Sequence, residues 1–181
     1  MITLEELAAW EDRLAREVEA VGAQAGPDLA ARDRALEQAG TYAEYASVFG
    51  SYVEWLELAD APAAAREALK RATALVWLAG VLPAPATGLA ELPEQAVRTV
   101  RQRLEAACRR GELDTELEWM LPWYYALDPF ALVGPEPLPS LEALVTDADA
   151  TAWRRLAPAP AAPALAHRGL LGRYWATLPR E

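Results

Sequence analysis

The sequence has very few of the residues that most often carry chemistry. Among its 181 residues, Cys108 is the only cysteine and His167 the only histidine. A single cysteine excludes an internal disulfide and a zinc site built on several thiolates. A serine or cysteine triad would need His167 as its base, yet no carboxylate lies near it in sequence. We therefore interpret His167 as a surface residue and Cys108 as a buried, inert thiol.

Sequence motifs for phosphate and metal binding are also missing. The chain contains neither GxGxxG nor GxxxxGK[ST], which cradle phosphates in nucleotide-binding proteins. It has no Glu-x-x-His, the motif that holds di-iron and di-manganese centres in helical bundles. An all-carboxylate ligand set would be unusual, although oxygens are available from Glu54, Glu57, Asp60, Asp114 and Glu118. We predict no catalytic residue, no metal and no cofactor, and these absences favour a non-enzymatic protein.

No apolar run reaches the 18 residues that suggest a membrane span, and the closest, 73–85, is too short. The first residues are charged from Glu5 onward and lack the apolar core of a signal peptide. The sequence therefore predicts a cytoplasmic protein without membrane contact.

The negative charge is concentrated in the N-terminal third. The whole chain has 27 acidic and 17 basic residues, and residues 1–60 alone contain 13 acids and 4 bases. Such a surface repels the phosphate backbone, so nucleic-acid binding is not expected. The arginine run on 98–110 is interpreted as a solvated helix face.

Helical patterns fill the chain, and no strand alternation of convincing length occurs. We predict an all-α, single-domain bundle of about seven to eight helices over residues 1–156, with the apolar segment 72–82 at its centre. A Pro/Ala-rich connector, 157–163, leads to a C-terminal helix within 164–181. That helix is expected to dock on its own bundle or on a second subunit, which would make a homodimer.

Several residues predict where helices begin and end. Thr3 with Glu6 and Thr41 with Glu44 match the capping box, and Ser140 is a predicted N-cap. Asp114 is the predicted N-cap of the helix that holds Pro122. Because proline lacks a backbone donor, Pro122 should kink or end that helix near residues 118–121.

The stretch 113–125, LDTELEWMLPWYY, is the densest in aromatic and acidic side chains. Trp and Tyr dominate both binding hot spots and ordinary cores, so a packed core and a ligand pocket are both open. The candidate ligand- or partner-binding residues are Trp77, Thr87, Asp114, Glu118, Trp119, Trp123, Tyr124 and Tyr125.

Part of the chain resembles a group of small, uncharacterised bacterial helical proteins. The similarity covers about residues 64–126 and depends on a set of short matches: Leu69-Lys70-Arg71, Trp77, Thr87-Gly88, Leu113-Asp114, Glu116-Leu117, Trp119-Met120-Leu121 and Tyr124-Tyr125. The segment before Thr87, VLPAPA, departs from the more aromatic version in that group. The resemblance implies no activity.

Two functional hypotheses follow from these observations. The first is a non-enzymatic interaction module whose acidic N-terminal third binds a basic protein, for which an immunity- or antitoxin-like role is one form. The second is a small-ligand binder or enzyme with an aromatic pocket lined by Trp77, Trp119 and Tyr124 and polarised by Asp114 or Glu118.

Overall fold

The computed structural model describes residues 2–58, 62–148, 165 and 167–178. Within them the chain is all-α, which confirms the predicted fold class. The helices, in chain order, are α1 Leu4–Ala25, α2 Leu29–Ala39, α3 Thr41–Leu56, α4 Pro62–Val81, α5 Ala84–Thr87, α6 Glu94–Arg110, α7 Thr115–Leu127, α8 Pro129–Val133, α9 Pro139–Asp147 and α10 Gly169–Thr177. The predicted connector, 157–163, lies outside the described residues.

Two of the predicted helix starts are confirmed. The hydroxyl of Thr3 accepts from the backbone N–H of Glu6 at 3.1 Å, and the Glu6 carboxylate accepts from Thr3 N–H at 2.8 Å. Asp114 caps α7 by accepting from the N–H of Leu117 at 3.0 Å. These contacts satisfy backbone donors that a helix leaves open at its first turn.

The two other predicted caps are wrong. Thr41 is the first residue of α3, where it caps nothing, and its hydroxyl donates to Glu17 on α1 at 3.0 Å. Ser140 also lies inside its helix, and the N–H groups of Ser140 and Leu141 donate to the carboxylate of Glu105. In both places the predicted cap residue donates instead to a carboxylate of another helix, through its hydroxyl at Thr41 and through its backbone N–H at Ser140.

Of the two effects predicted for Pro122, a kink or an end of the helix near residues 118–121, the end is wrong. Pro122 lies inside α7, which continues to Leu127.

The described residues form ten helices, more than the predicted seven or eight. Two of them, α5 and α8, are only four and five residues long.

Helix α4 lies at the centre of the bundle, as its apolar composition predicts. Residues 68–78 are all buried, and α4 contacts α3, α6, α7, α8 and α10. Helix α10 packs against α1 and α4 of the same chain. In the described part of the chain, no helix has both the length and the apolar composition needed to cross a membrane.

Candidate functional site

Three of the predicted aromatic residues meet at the centre of the molecule, where α10 covers them. Trp77 of α4 stacks on Tyr124 of α7 with ring centroids 4.4 Å apart. Trp119 meets Trp175 edge to face at 4.5 Å, and Tyr174 meets Trp77 in the same way at 4.9 Å. Such offset and edge-to-face pairs are the favoured arrangements of aromatic rings. We call these five residues the aromatic cluster.

Hydrogen bonds tie the polar atoms of the aromatic cluster together. The indole N–H of Trp77 donates to the backbone carbonyl of Tyr124 at 3.0 Å. The indole N–H of Trp175 donates to the Tyr124 hydroxyl at 2.9 Å, and that of Trp123 donates to the Tyr174 hydroxyl at 2.7 Å. Residues Tyr174 and Trp175 therefore occupy the place in which a ligand would meet the predicted aromatic wall.

The remaining predicted site residues lie in different environments. Thr87 is buried, and its hydroxyl accepts from the N–H of Leu89 at 3.1 Å, which closes the turn after α5. Tyr125 is half-buried and packs against the core. Glu118 is exposed and lines a cleft of about 500 Å³ together with Cys108. The structure thus places Thr87 beside Tyr174 of the aromatic cluster, in a cleft of about 310 Å³, whereas Glu118 lines a different cleft.

A network of charged side chains lies beside the aromatic cluster. Lys70, the only lysine of the chain, is 8% exposed, and its ammonium lies 2.6 Å from both Asp114 and Glu116. Arg168, just before α10, contacts Glu116 at 2.6 Å and Glu67 at 2.8 Å. Helices α4 and α7 and the start of α10 are thereby connected by one set of ion pairs.

Arg71 extends this network toward α1. Its guanidinium contacts Glu67 at 2.8 Å, donates to the backbone carbonyl of Leu4 at 2.8 Å and lies 5.9 Å from the ring centroid of Tyr52. We call Glu67, Lys70, Arg71, Asp114, Glu116 and Arg168 the charge network. The network contains three acids and three bases, so its net charge is zero only when Arg168 of the C-terminal segment is in place.

The pKa shifts of Lys70 and Glu116 in the charge network favour their charged forms. Burial by itself would lower the pKa of Lys70, but hydrogen bonds to Asp114 and Glu116 raise it above the usual value. Burial favours a higher pKa for Glu116, yet hydrogen bonds from Arg168 and Lys70 lower it. Opposite charges within hydrogen-bonding distance favour the ionised form of both partners.

Glu11 of α1 is the most deeply buried carboxylate that the structure describes. It is 1% exposed, and burial raises its pKa to about 7. Its carboxylate accepts from the hydroxyl of Tyr52 and, at 2.9 Å, from the backbone N–H of Leu170 in the first turn of α10. A side chain at position 169 would collide with Glu11, and Gly169 there has a φ of 59°. Glu11 therefore anchors the start of α10.

Sequence reasoning missed the charge network and Glu11, although a signal was present. Lys70 and Arg71 stand in the middle of α4, directly before its apolar segment, and such residues are almost never buried unless they are paired. The pattern could have predicted buried partners, but not their identity. Glu67 and Arg168 are 101 residues apart in the chain.

The arrangement holds the C-terminal segment in place. The carboxylates of the charge network each accept from a cation, and Glu11 accepts from two donors. In the described ranges there is no group of three or more His, Cys, Asp or Glu that could hold a metal. Burial raises the pKa of Cys108 to about 11, so its thiol is protonated at neutral pH.

Comparisons with known proteins found no relative of this chain. No family model, no curated protein and no solved structure matches this chain. The resemblance of residues 64–126 to small bacterial proteins stays a prediction.

Proposed function

We propose that this protein is a non-enzymatic interaction module that binds a basic protein through the acidic surface of α1, α2 and α3. The observation that carries the proposal is the number of carboxylates on these helices that have no cationic partner in the part of the chain that the structure describes. Apart from the buried Glu11, seven acidic residues in 2–58 form no ion pair with any described residue: Glu5, Glu6, Asp12, Asp28, Asp33, Glu37 and Glu54.

These carboxylates are positioned by the fold. The side chains of Glu6 and Glu54 line one cleft of about 520 Å³ between the start of α1 and the end of α3. Glu37 and Glu5 are exposed on α2 and α1. An excess of one charge sign over such a surface steers an oppositely charged partner and makes association dependent on salt. An immunity- or antitoxin-like role against a basic toxin is one form of this function.

The alternative hypothesis, a small-ligand binder or enzyme at residues 77 and 113–125, has less support. Tyr174 and Trp175 pack against the aromatic wall that this hypothesis requires to be open.

The proposal is tested by capture of partners on the immobilised full-length chain at about 50 mM and about 500 mM NaCl, a range over which charge screening changes strongly. We expect a basic protein to bind at low salt and to be released at high salt. A variant with Glu5→Gln, Glu37→Gln and Glu54→Gln should bind that protein at least about tenfold more weakly.

A matched control has the same change of net charge elsewhere: Glu112→Gln, Glu118→Gln and Asp147→Asn, three exposed residues. If both triple variants lose binding equally, the location of the site on α1–α3 is wrong. If no protein is captured in a salt-dependent way, the function itself is wrong.

A further inference from the structure

A second surface of the molecule exposes large apolar side chains that are not packed into the core. The large hydrophobic residues that are exposed in the described ranges are Ile2, Leu29, Leu82, Leu127 and Phe130. Three of these five lie at the end of α4, at the end of α7 and on α8. Phe130 is 82% exposed, and burying an aromatic side chain is among the most favourable contributions to an interface.

Helix α8 holds Phe130 in a fixed position. Asp128 caps the helix by accepting from the N–H of Ala131 at 3.0 Å, and the Arg101 guanidinium donates to the carbonyls of Ala131 and Leu132 at 3.1 and 3.2 Å. A Cβ atom at Gly80 of α4 would lie only 2.5 Å from the Cβ of Ala131, so the inner side of α8 packs closely on α4. Phe130 therefore projects from a helix that is held by hydrogen bonds at both of its ends.

An apolar groove lies directly beside Phe130. It has a volume of about 690 Å³, and Phe130 and Leu82 belong to its walls. Its other apolar walls come from α4, the loop after α5, and α6, with Val76, Leu89, Leu92 and Val97 among the lining residues. We call this cavity the Phe130 groove.

The charged residues around the Phe130 groove favour a basic occupant. Glu91 and Asp128 belong to its lining, and Glu91 is exposed without an ion pair to any residue in the described ranges. Arg101 also lines the groove, but its donors are directed to the backbone carbonyls of α8. Two copies of this surface would bring acidic rims together on chains that each have a net charge of −10, which opposes self-association.

We propose that the Phe130 groove binds an amphipathic helix of a partner protein, with an apolar face in the groove and Lys or Arg residues along its flanks. Apolar side chains at helical spacing fill a groove of this kind, and flanking basic residues meet the acidic rim. This surface is separate from the carboxylates of α1–α3 and does not depend on the function proposed for them.

The test uses the full-length chain and three fluorescein-labelled peptides of about 14 residues, which span about 20 Å as a helix. The first contains Leu and Lys at amphipathic spacing, the second contains Leu and Glu, and the third keeps the Lys residues but replaces every Leu with Ser. We expect saturable binding of the Leu/Lys peptide, measured by fluorescence anisotropy, and at least about tenfold weaker binding of the other two.

Phe130→Ala should weaken binding of the Leu/Lys peptide about tenfold or more, while Leu29→Ala should leave it unchanged. Leu29 is a matched control because it is a 48% exposed apolar residue on α2. Both side chains are exposed, so circular dichroism should show that both variants keep the fold.

Three outcomes would overturn the proposal. The first is equal binding of the Leu/Lys peptide by the parent chain and Phe130→Ala. The second is loss of binding only in the Glu5, Glu37 and Glu54 triple variant, which would leave the function proposed for α1–α3 intact. The third is a dimer in analytical ultracentrifugation that Phe130→Ala dissociates, because a second copy would then occupy the groove.

Discussion

At the scale of single residues, Glu11 shows how burial and hydrogen bonding act against each other. Burial disfavours its charged form, whereas the hydroxyl of Tyr52 and the N–H of Leu170 both donate to it. Burial has the larger effect, and the pKa rises from an ordinary value of 4.5 to about 7. The folded protein therefore holds a proton on Glu11 at pH values where the unfolded chain has lost it.

This shift makes stability depend on pH. Between pH 4.5 and pH 7 the folded state binds more protons at Glu11 than the unfolded state, so the free energy of unfolding falls as pH rises through this window. Glu11→Gln removes the titration. We expect the stability of the variant relative to the parent chain to rise by about 3 kcal/mol between pH 4 and pH 8.

Urea unfolding of both proteins at several pH values measures this difference. Comparison of the two chains cancels the contributions of other carboxylates, such as Glu105 and Glu116, whose pKa values are lowered. Parallel pH profiles for the two proteins would show that Glu11 does not titrate in this range.

At the scale of elements, the position of α10 depends on contacts from three other helices. Glu11 of α1 anchors its first turn, Trp77 of α4 and Trp119 of α7 pack on its aromatic residues, and Arg168 joins it to the charge network. Little of its stability can come from intrinsic helix propensity, because isolated helices of nine residues are marginal in water.

We therefore expect Arg168→Met to weaken the docking of α10. It leaves Glu67 and Glu116 without one of their cations, and these carboxylates are only 23% and 22% exposed. The free energy that protects amides 169–177 from hydrogen exchange should fall by about 2–3 kcal/mol, less than for a fully buried pair.

Arg173→Gln is the matched control on the same helix. Arg173 pairs with Glu19, whose side chain is 64% exposed, so its loss should change the protection by less than about 1 kcal/mol. Equal effects of the two substitutions would mean that the charge network does not hold α10.

At the scale of the whole molecule, one hydrophobic core joins residues from α1 to α10. Leu7, Tyr52, Leu75, Tyr124 and Trp175 all belong to it. Elements that share one core unfold together when no part can lose its contacts independently. We expect far-ultraviolet circular dichroism and tryptophan fluorescence to report the same unfolding midpoint.

Leu75→Ala tests this cooperativity from the centre of α4. Leu75 is fully buried, and truncation of a buried leucine lowers the free energy of unfolding by about 2–5 kcal/mol. Both spectroscopic signals should move by the same amount. Separate midpoints, or a shift in one signal alone, would indicate that a part of the bundle unfolds by itself.

The sequence by itself determined the features that depend on near neighbours. The apolar periodicity predicted an all-α chain. The segment 72–82 is apolar on nearly every side of the helix, which predicted that α4 would be central. The Thr3–Glu6 capping box and the Asp114 cap were predicted because donor and acceptor lie three residues apart. Such contacts form whenever the helix forms.

Only the tertiary structure decided the features whose partners are distant in sequence. Thr41 and the first turn of α9 took partners from other helices, Glu17 and Glu105, in place of local caps. Trp119 and Tyr124 became part of a packed core because Tyr174 and Trp175 were brought to them. Composition predicts that such side chains will be buried, but their neighbours depend on how the whole chain closes, and that is a property of the three-dimensional packing.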